Sequence, residues 1–187
     1  PRQVAHVRAW PAEATLHLQE FVGYKAGMTQ VFMIDDRKES MTSGQEINVP
    51  ATVIETPPLV IYSARLYSST TRGLNTATDI WASELPKDLA KKINLPKKYD
   101  QQKAFERAEA LIKEEKVVDV RVLACTQPRA SNMRKKNPDL IEIRVGGDKI
   151  EERWNYCKEL LGKQARVADV LKEGEYVDVL AITKGKG

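Results

Sequence analysis

Ile47-Asn-Val-Pro-Ala-Thr-Val-Ile-Glu55, the break Thr56-Pro57-Pro58 and Leu59-Val-Ile-Tyr-Ser-Ala-Arg-Leu-Tyr67 form one continuous stretch whose reading decides the fold. Both flanks of the break are rich in β-branched and aromatic residues, which fit a pleated, half-buried surface. Pro57 and Pro58 cannot donate ladder hydrogen bonds, so they belong at a strand edge or junction. The stretch therefore predicts two strands meeting at the prolines. Upstream, Phe21-Val22 and Val31-Phe-Met-Ile34 flank Gly23–Gly27, which predicts a strand, a tight turn and a second strand segment. Asp35-Asp36 then opens a polar loop over 37–46, with Gly44 as its punctuation. Residues 1–20 hold Arg2, Arg8, Trp10, His6 and His17 with little periodicity and read as an irregular arm.

Downstream of about residue 75 the pattern changes. Leu85, Leu89 and Ile93 recur at helical spacing behind a candidate cap, Ser83. Asp100 precedes Ala104, Phe105, Ala108, Leu111 and Ile112, an apolar stripe opposed by Lys103, Glu106, Arg107, Glu109, Lys113 and Glu114. That is an amphipathic helix with a solvent-facing side. Val118, Val120, Val122 and Ala124 alternate with Asp119, Arg121 and Leu123, and Ile141, Ile143 and Val145 alternate with Glu142 and Arg144. Both runs predict half-buried strands. Gly146-Gly147 leads into a further helix, with Asp148 and Glu151 at capping-box spacing, Ile150, Trp154, Cys157 and Leu161 facing inward, and Gly162 placed to end it. Tyr176 to Ile182 returns to strand.

The fold class expected is mixed β and α+β. A β-module over 21–74 and 166–187 is interrupted by an α+β subdomain over 75–165, after the arm 1–20.

With 187 residues, 42% of them hydrophobic, the chain can bury a core. A net charge of +4 permits a nucleic-acid partner without demanding one. Cys125 and Cys157 stand in no metal-like spacing, which reads as two small buried apolar residues in a reducing, cytoplasmic setting. No apolar run approaches the roughly 18 residues a membrane span needs, so no membrane partner is expected.

The residues argue against catalysis. Gly23-Tyr-Lys-Ala-Gly27-Met-Thr29 has three residues between its glycines where a phosphate-cradling P-loop has four, and its lysine lies inside the glycine pair rather than after it. Adjacent carboxylates such as Asp35-Asp36 and Glu114-Glu115 do not converge on one substrate. Both histidines lie in the arm. No enzyme, cofactor, metal site or small-molecule substrate is expected.

The loop between the two alternating strands is different. Arg129, Arg134, Lys135 and Lys136 place four positive charges within eight residues with no acid among them, beside Gln127, Ser131 and Asn132 and between Pro128 and Pro138. A loop lifted off a sheet in this way presents its charges to phosphates. Lys184 and Lys186 alternate with glycines that let a backbone approach RNA closely.

Phe21-Val-Gly-Tyr-Lys-Ala-Gly-Met-Thr29 resembles the N-terminal signature of the family of universal ribosomal protein number three of the large subunit, in its archaeal and eukaryotic form. Arg8-Ala-Trp-Pro11, Val53-Ile-Glu-Thr-Pro-Pro58, Thr71-Arg-Gly-Leu74, Ala124-Cys-Thr-Gln127 and Ile182-Thr-Lys-Gly-Lys-Gly187 resemble the same family in the same order. The resemblance implies a β-barrel of the translation-protein type, incomplete here, with an inserted α+β subdomain. It implies binding to large-subunit ribosomal RNA beside neighbouring ribosomal proteins, a role in subunit assembly, and bracing of RNA near the peptidyl transferase centre. By position it implies Lys25, Arg72, Lys184 and Lys186 as RNA contacts.

Family members begin with a strongly basic arm and continue beyond Thr183-Lys-Gly-Lys-Gly187, so the expectation is a fragment. The rival expectation is a non-catalytic protein-docking module acting through the α+β insert.

Overall fold

The computed structural model describes residues 5, 7, 9–96 and 99–185. Arg2, His6, Arg8, Lys97, Lys98 and Lys186 lie outside the described residues. The chain is a mixed structure of antiparallel sheets and a few helices, and it divides into two compact units, residues 22–56 and residues 1–21 with 57–187.

The smaller unit is a β-hairpin. Strands β1 (Tyr24–Ile34) and β2 (Glu46–Glu55) pair antiparallel from Tyr24 opposite Glu55 to Ile34 opposite Glu46. The turn expected at Gly23–Gly27 is absent. The motif runs straight into β1, and a register shift between Lys25 and Gly27 absorbs its irregularity as a bulge. Gly23 is small for a reason of packing: a Cβ there would overlap the Ile54 side chain on the opposite strand. The connecting loop is organised by Asp35, which is buried and accepts hydrogen bonds from the Arg37 amide (3.2 Å), Arg37 Nε (2.9 Å) and Thr42 Oγ1 (2.7 Å). Hydrogen bonding by the side chains of Ser40, Thr42 and Arg37 holds its carboxyl far below the usual carboxylate range.

The larger unit is built on one antiparallel sheet of order β4-β3-β5-β6, in which β3 is Leu59–Thr70, β4 Gly73–Trp81, β5 Val117–Cys125 and β6 Leu140–Arg144. A two-residue strand β7 (Gln164–Ala165) pairs with the start of β3. The prolines stand where expected, just before β3. Parity sorts the side chains: Ile61, Ala64, Leu66, Ile80, Val120, Val122, Ala124, Ile141 and Ile143 share one face and are buried.

Helices α1 (Gln101–Lys113) and α2 (Ile150–Leu160) lie along β4 and β5, and Phe105 meets Trp154 with ring centroids 5.9 Å apart. Asp100 caps α1 as expected, accepting from the Lys103 amide. Gly162, at φ +81°, follows the end of α2. The capping box expected from Asp148 and Glu151 does not form. Helix α2 begins one residue later, with Lys149 at its cap and no side-chain cap bond.

The opposite face has two zones. One is a small apolar cluster of Val60, Tyr62, Leu89, Leu123 and Cys125, with Trp81, Leu85, Ile93, Leu95 and Leu140 packed against it. The helix expected over Leu85–Ile93 shrinks to a 3-10 turn at Lys87–Lys91, because Pro86 takes the cap position and Leu89 alone is buried there. The second zone is charged. Arg65, Asp79, Asp119, Arg121, Glu142 and Arg144 lie on neighbouring strands and pair with one another, and Trp10 lies over Arg121.

The strand expected over Tyr176–Ile182 is not formed. After a single helical turn α3 (Val167–Val170) the segment is irregular, and Tyr176, Val177, Val179 and Leu180 are exposed. Alternation alone does not make a strand, and among the described residues no strand pairs with this segment to satisfy its backbone. Among the described residues no closed barrel is found.

Candidate nucleic-acid interface

The loop expected to meet phosphates is held at its base. The Thr126 amide donates to Asp139 O (3.0 Å), and the Asp139 amide donates back to Thr126 Oγ1 (2.9 Å). Gln127 Nε2 bonds Pro58 O at 3.0 Å, tying the loop to the start of β3. Inside, Pro128–Ser131 make a 3-10 turn that ends on Asn132 in the left-handed conformation, at φ 52°. Asn tolerates that region better than most side chains. The loop is a preformed platform.

Its four basic residues do not stand alike. Lys135 is bound to Asp139 at the loop base. Arg129 reaches Asp88 at 3.2 Å while remaining 70% exposed. Arg134 and Lys136 are exposed. So two of the four serve partly to shape the loop. Lys25 is exposed on the bulge of β1, Arg72 on the turn joining β3 to β4, and Lys184 on the exposed C-terminal segment. The structure thus brings Arg129, Arg134, Lys135 and Lys136 together, while Lys25, Arg72 and Lys184 stand on three separate elements.

Sequence reasoning missed the charged zone of the larger unit. Asp119 accepts from Arg121 Nε (2.9 Å), Arg144 Nε (3.1 Å) and Arg153 Nη1 (3.2 Å). Arg65 pairs with Asp79 through Nε (2.6 Å) and Nη2 (2.8 Å). Tyr67 Oη donates to Glu142, which also receives Arg121 Nη1 at 3.2 Å. The Arg121 guanidinium lies 4.8 Å from the Trp10 ring centroid and 4.5 Å from that of Tyr67. Trp10 is thereby fixed over the sheet by cation–π contact. The signal was present as charges in phase on four adjacent strands, but alternation read one strand at a time assigns them to solvent.

The arm is tied to the sheet end as well. Gly146 and Gly147 amides donate to His17 O (2.9 Å) and Glu13 O (2.8 Å), and a Cβ on Gly146 would strike Thr15 O. Under the arm a hollow of about 70 Å³ is lined by Ala5, Val7, Trp10, Glu20, Arg121, Ile141 and Glu142. It is far smaller than the several hundred Å³ of a ligand pocket. Burial pushes the Glu20 carboxyl up to about 7. Among the described residues no group of three or more His, Cys, Asp or Glu could hold a metal, and no helix is long and apolar enough to cross a membrane.

The family model "Ribosomal protein L3" matches residues 1–187. The large ribosomal subunit protein uL3 of Methanocaldococcus jannaschii is 48% identical over 187 residues, which is 100% of this chain and 55% of the relative. Its namesake in Methanococcus maripaludis strain C7 is 43% identical over 184 residues, 98% of this chain and 54% of the relative. That of Methanopyrus kandleri is 42% identical over 188 residues, 100% of this chain and 52% of the relative. The chain therefore spans about half the length of the curated relatives it matches. With a family match along its whole length and the charged loop on an ordered base, this chain belongs to the ribosomal protein L3 family.

Proposed function

We propose that the chain is a structural, non-catalytic part of the large ribosomal subunit that binds ribosomal RNA. On this reading it sits in the cytoplasmic ribosome beside other ribosomal proteins, supports subunit assembly and braces RNA near the peptidyl transferase centre. The observation that carries the reading is the loop Thr126–Asp139: a base closed by reciprocal hydrogen bonds holds exposed Arg134 and Lys136 on a family member's surface. Preformed cationic loops bind phosphates without first losing backbone entropy, and phosphate contacts position a protein on RNA. Lys25, Arg72, Arg129, Lys184 and Lys186 are proposed as further RNA contacts.

We further propose that residues 21–74 and 166–187 belong to a translation-protein-type β-barrel, incomplete here, with 75–165 as its α+β insert. Support comes from the β1–β2 ribbon. Opposed pairs put Val31 and Met33 on one face and Phe32 and Ile34 on the other, and all four are exposed. A two-stranded ribbon with apolar side chains on both faces is not stable alone in water.

The test is binding of the chain to large-subunit ribosomal RNA from low to moderate salt. Affinity that falls steeply with salt, and falls further with Arg134→Ala and Lys136→Ala, supports the reading, since each phosphate contact releases counterions. Salt-independent binding, or none by a folded chain, sinks it.

A further inference from the structure

The 3-10 turn at Lys87–Lys91 took no part in the reading above, yet the structure joins it to the basic loop. Asp88 accepts from Lys91 Nζ at 2.6 Å within its own turn and from Arg129 Nη2 at 3.2 Å across to the loop. Side chains three apart eclipse in a 3-10 turn, which is why Asp88 and Lys91 meet. The turn is anchored from below by Leu89, fully buried against Val60, Tyr62, Leu123 and Cys125. Leu123 and Cys125 lie on β5, the strand that leads into the loop, so the loop and the turn rest on one support.

The one acid within the turn is thus committed to cross-linking two basic segments. Lys87 and Lys92, like Lys91, are exposed. Among the described residues, none of the exposed large apolar side chains falls within 82–96 or 126–139. A protein interface centres on buried aromatic or aliphatic anchors. A surface of cations without such anchors suits a polyanion instead.

We propose that the turn Lys87–Lys91 and the loop Thr126–Asp139 form one composite phosphate-binding surface, with Lys87, Lys91 and Lys92 gripping the same RNA as Arg134 and Lys136. The inference rests on the RNA-binding reading and adds three lysines to it. Asp88 is the clasp of this surface: it sets Arg129 beside the turn, so that two segments far apart in sequence act as one patch. An acidic neighbouring protein is the competing occupant, and the experiment separates the two.

The probe is large-subunit ribosomal RNA titrated into the whole chain at several salt concentrations. The triple variant K87A/K91A/K92A is compared with the charge-matched control K103A/K113A/K116A on and just after α1. All six lysines are exposed, and circular dichroism verifies that both variants fold. The composite surface predicts that the first triple lowers the slope of log affinity against log salt by about 3, one per lost phosphate contact. The control leaves the slope within about 1 of the parent.

Equal losses in both triples overturn the inference, because net charge alone then explains binding. A parent slope retained by K87A/K91A/K92A, while R134A/K136A loses affinity, also overturns it and assigns the turn to a protein neighbour. No RNA binding by the folded parent removes the RNA-binding reading itself, a result distinct from either.

Discussion

Asp119 on β5 and Arg153 on α2 are joined at 3.2 Å, and Arg153 Nε also donates to Gly147 O at 2.5 Å. One arginine therefore links the charged zone of the sheet to the glycine corner that holds the arm. Asp119 is 5% exposed and serves two further arginines, so its removal strips buried Arg153 and part-buried Arg144 of the carboxylate they share, while Arg121 keeps Glu142. Asp119→Ala is expected to cost about 3–5 kcal/mol, seen as a lowered urea midpoint with an unchanged m-value.

Leu89 fixes the Lys87–Lys91 turn. Leu89→Ala is expected to cost about 2–5 kcal/mol, the range for a truncated core leucine. Amide exchange should rise in residues 87–93 more than in β5. Equal protection of residues 87–93 in Leu89→Ala and in the parent would show that the turn is held by something else.

Most of the larger unit was legible in the sequence. Period-two alternation located β5 and β6, the i, i+4, i+7 stripe located α1, and Asp100 marked its start. What failed shares one cause. Gly23–Gly27 read as a turn, Tyr176–Ile182 as a strand and Leu85–Ile93 as a helix, because local pattern fixes period but not partner. The bulge opposite Val53 and Ile54, the ladder partner that 176–182 lacks among the described residues, and the position of Pro86 are decided between segments or by a single residue. The same holds for the site. The basic loop was visible as composition, but the roles of Asp88 and Asp139 in tying down Arg129 and Lys135 were not.

Glu20 gives the arm a pH dependence. Its folded value of about 7 lies above the ordinary glutamate value of 4.5. Its contribution to stability is therefore complete below pH 4.5 and is lost as pH rises through about 7. Because the group is partly solvated, screening holds the difference to about 1–2 kcal/mol. Glu20→Gln should flatten the melting temperature over that interval and raise it at pH 8.

Asp35 acts in the opposite sense. Its folded value lies below the unfolded one, so the loop order it provides is present above about pH 4 and is lost as acidity increases beyond that. Amide exchange measured on residues 36–45 should speed up on acidification relative to the intrinsic rate. Asp35→Asn should show the looser loop already at neutral pH.

Burial pushes the thiol of Cys125 up to about 11 and that of Cys157 up to about 12. Neither should react with a disulfide reagent at pH 8 until denaturant is added, because the attacking species is the thiolate. Prompt labelling of the native chain would contradict the burial described for both.

Tyr99 and Gln101 do at the open side of β4 what another strand would do. The Trp81 amide donates to Tyr99 Oη (3.0 Å), and Gln101 Nε2 donates to Trp81 O (3.2 Å). Two side chains so placed blunt one end of the sheet against stacking with a second molecule. This protects the sheet against self-association without adding charge to its rim. Replacing both with alanine would convert a safely terminated sheet into a template for aggregation.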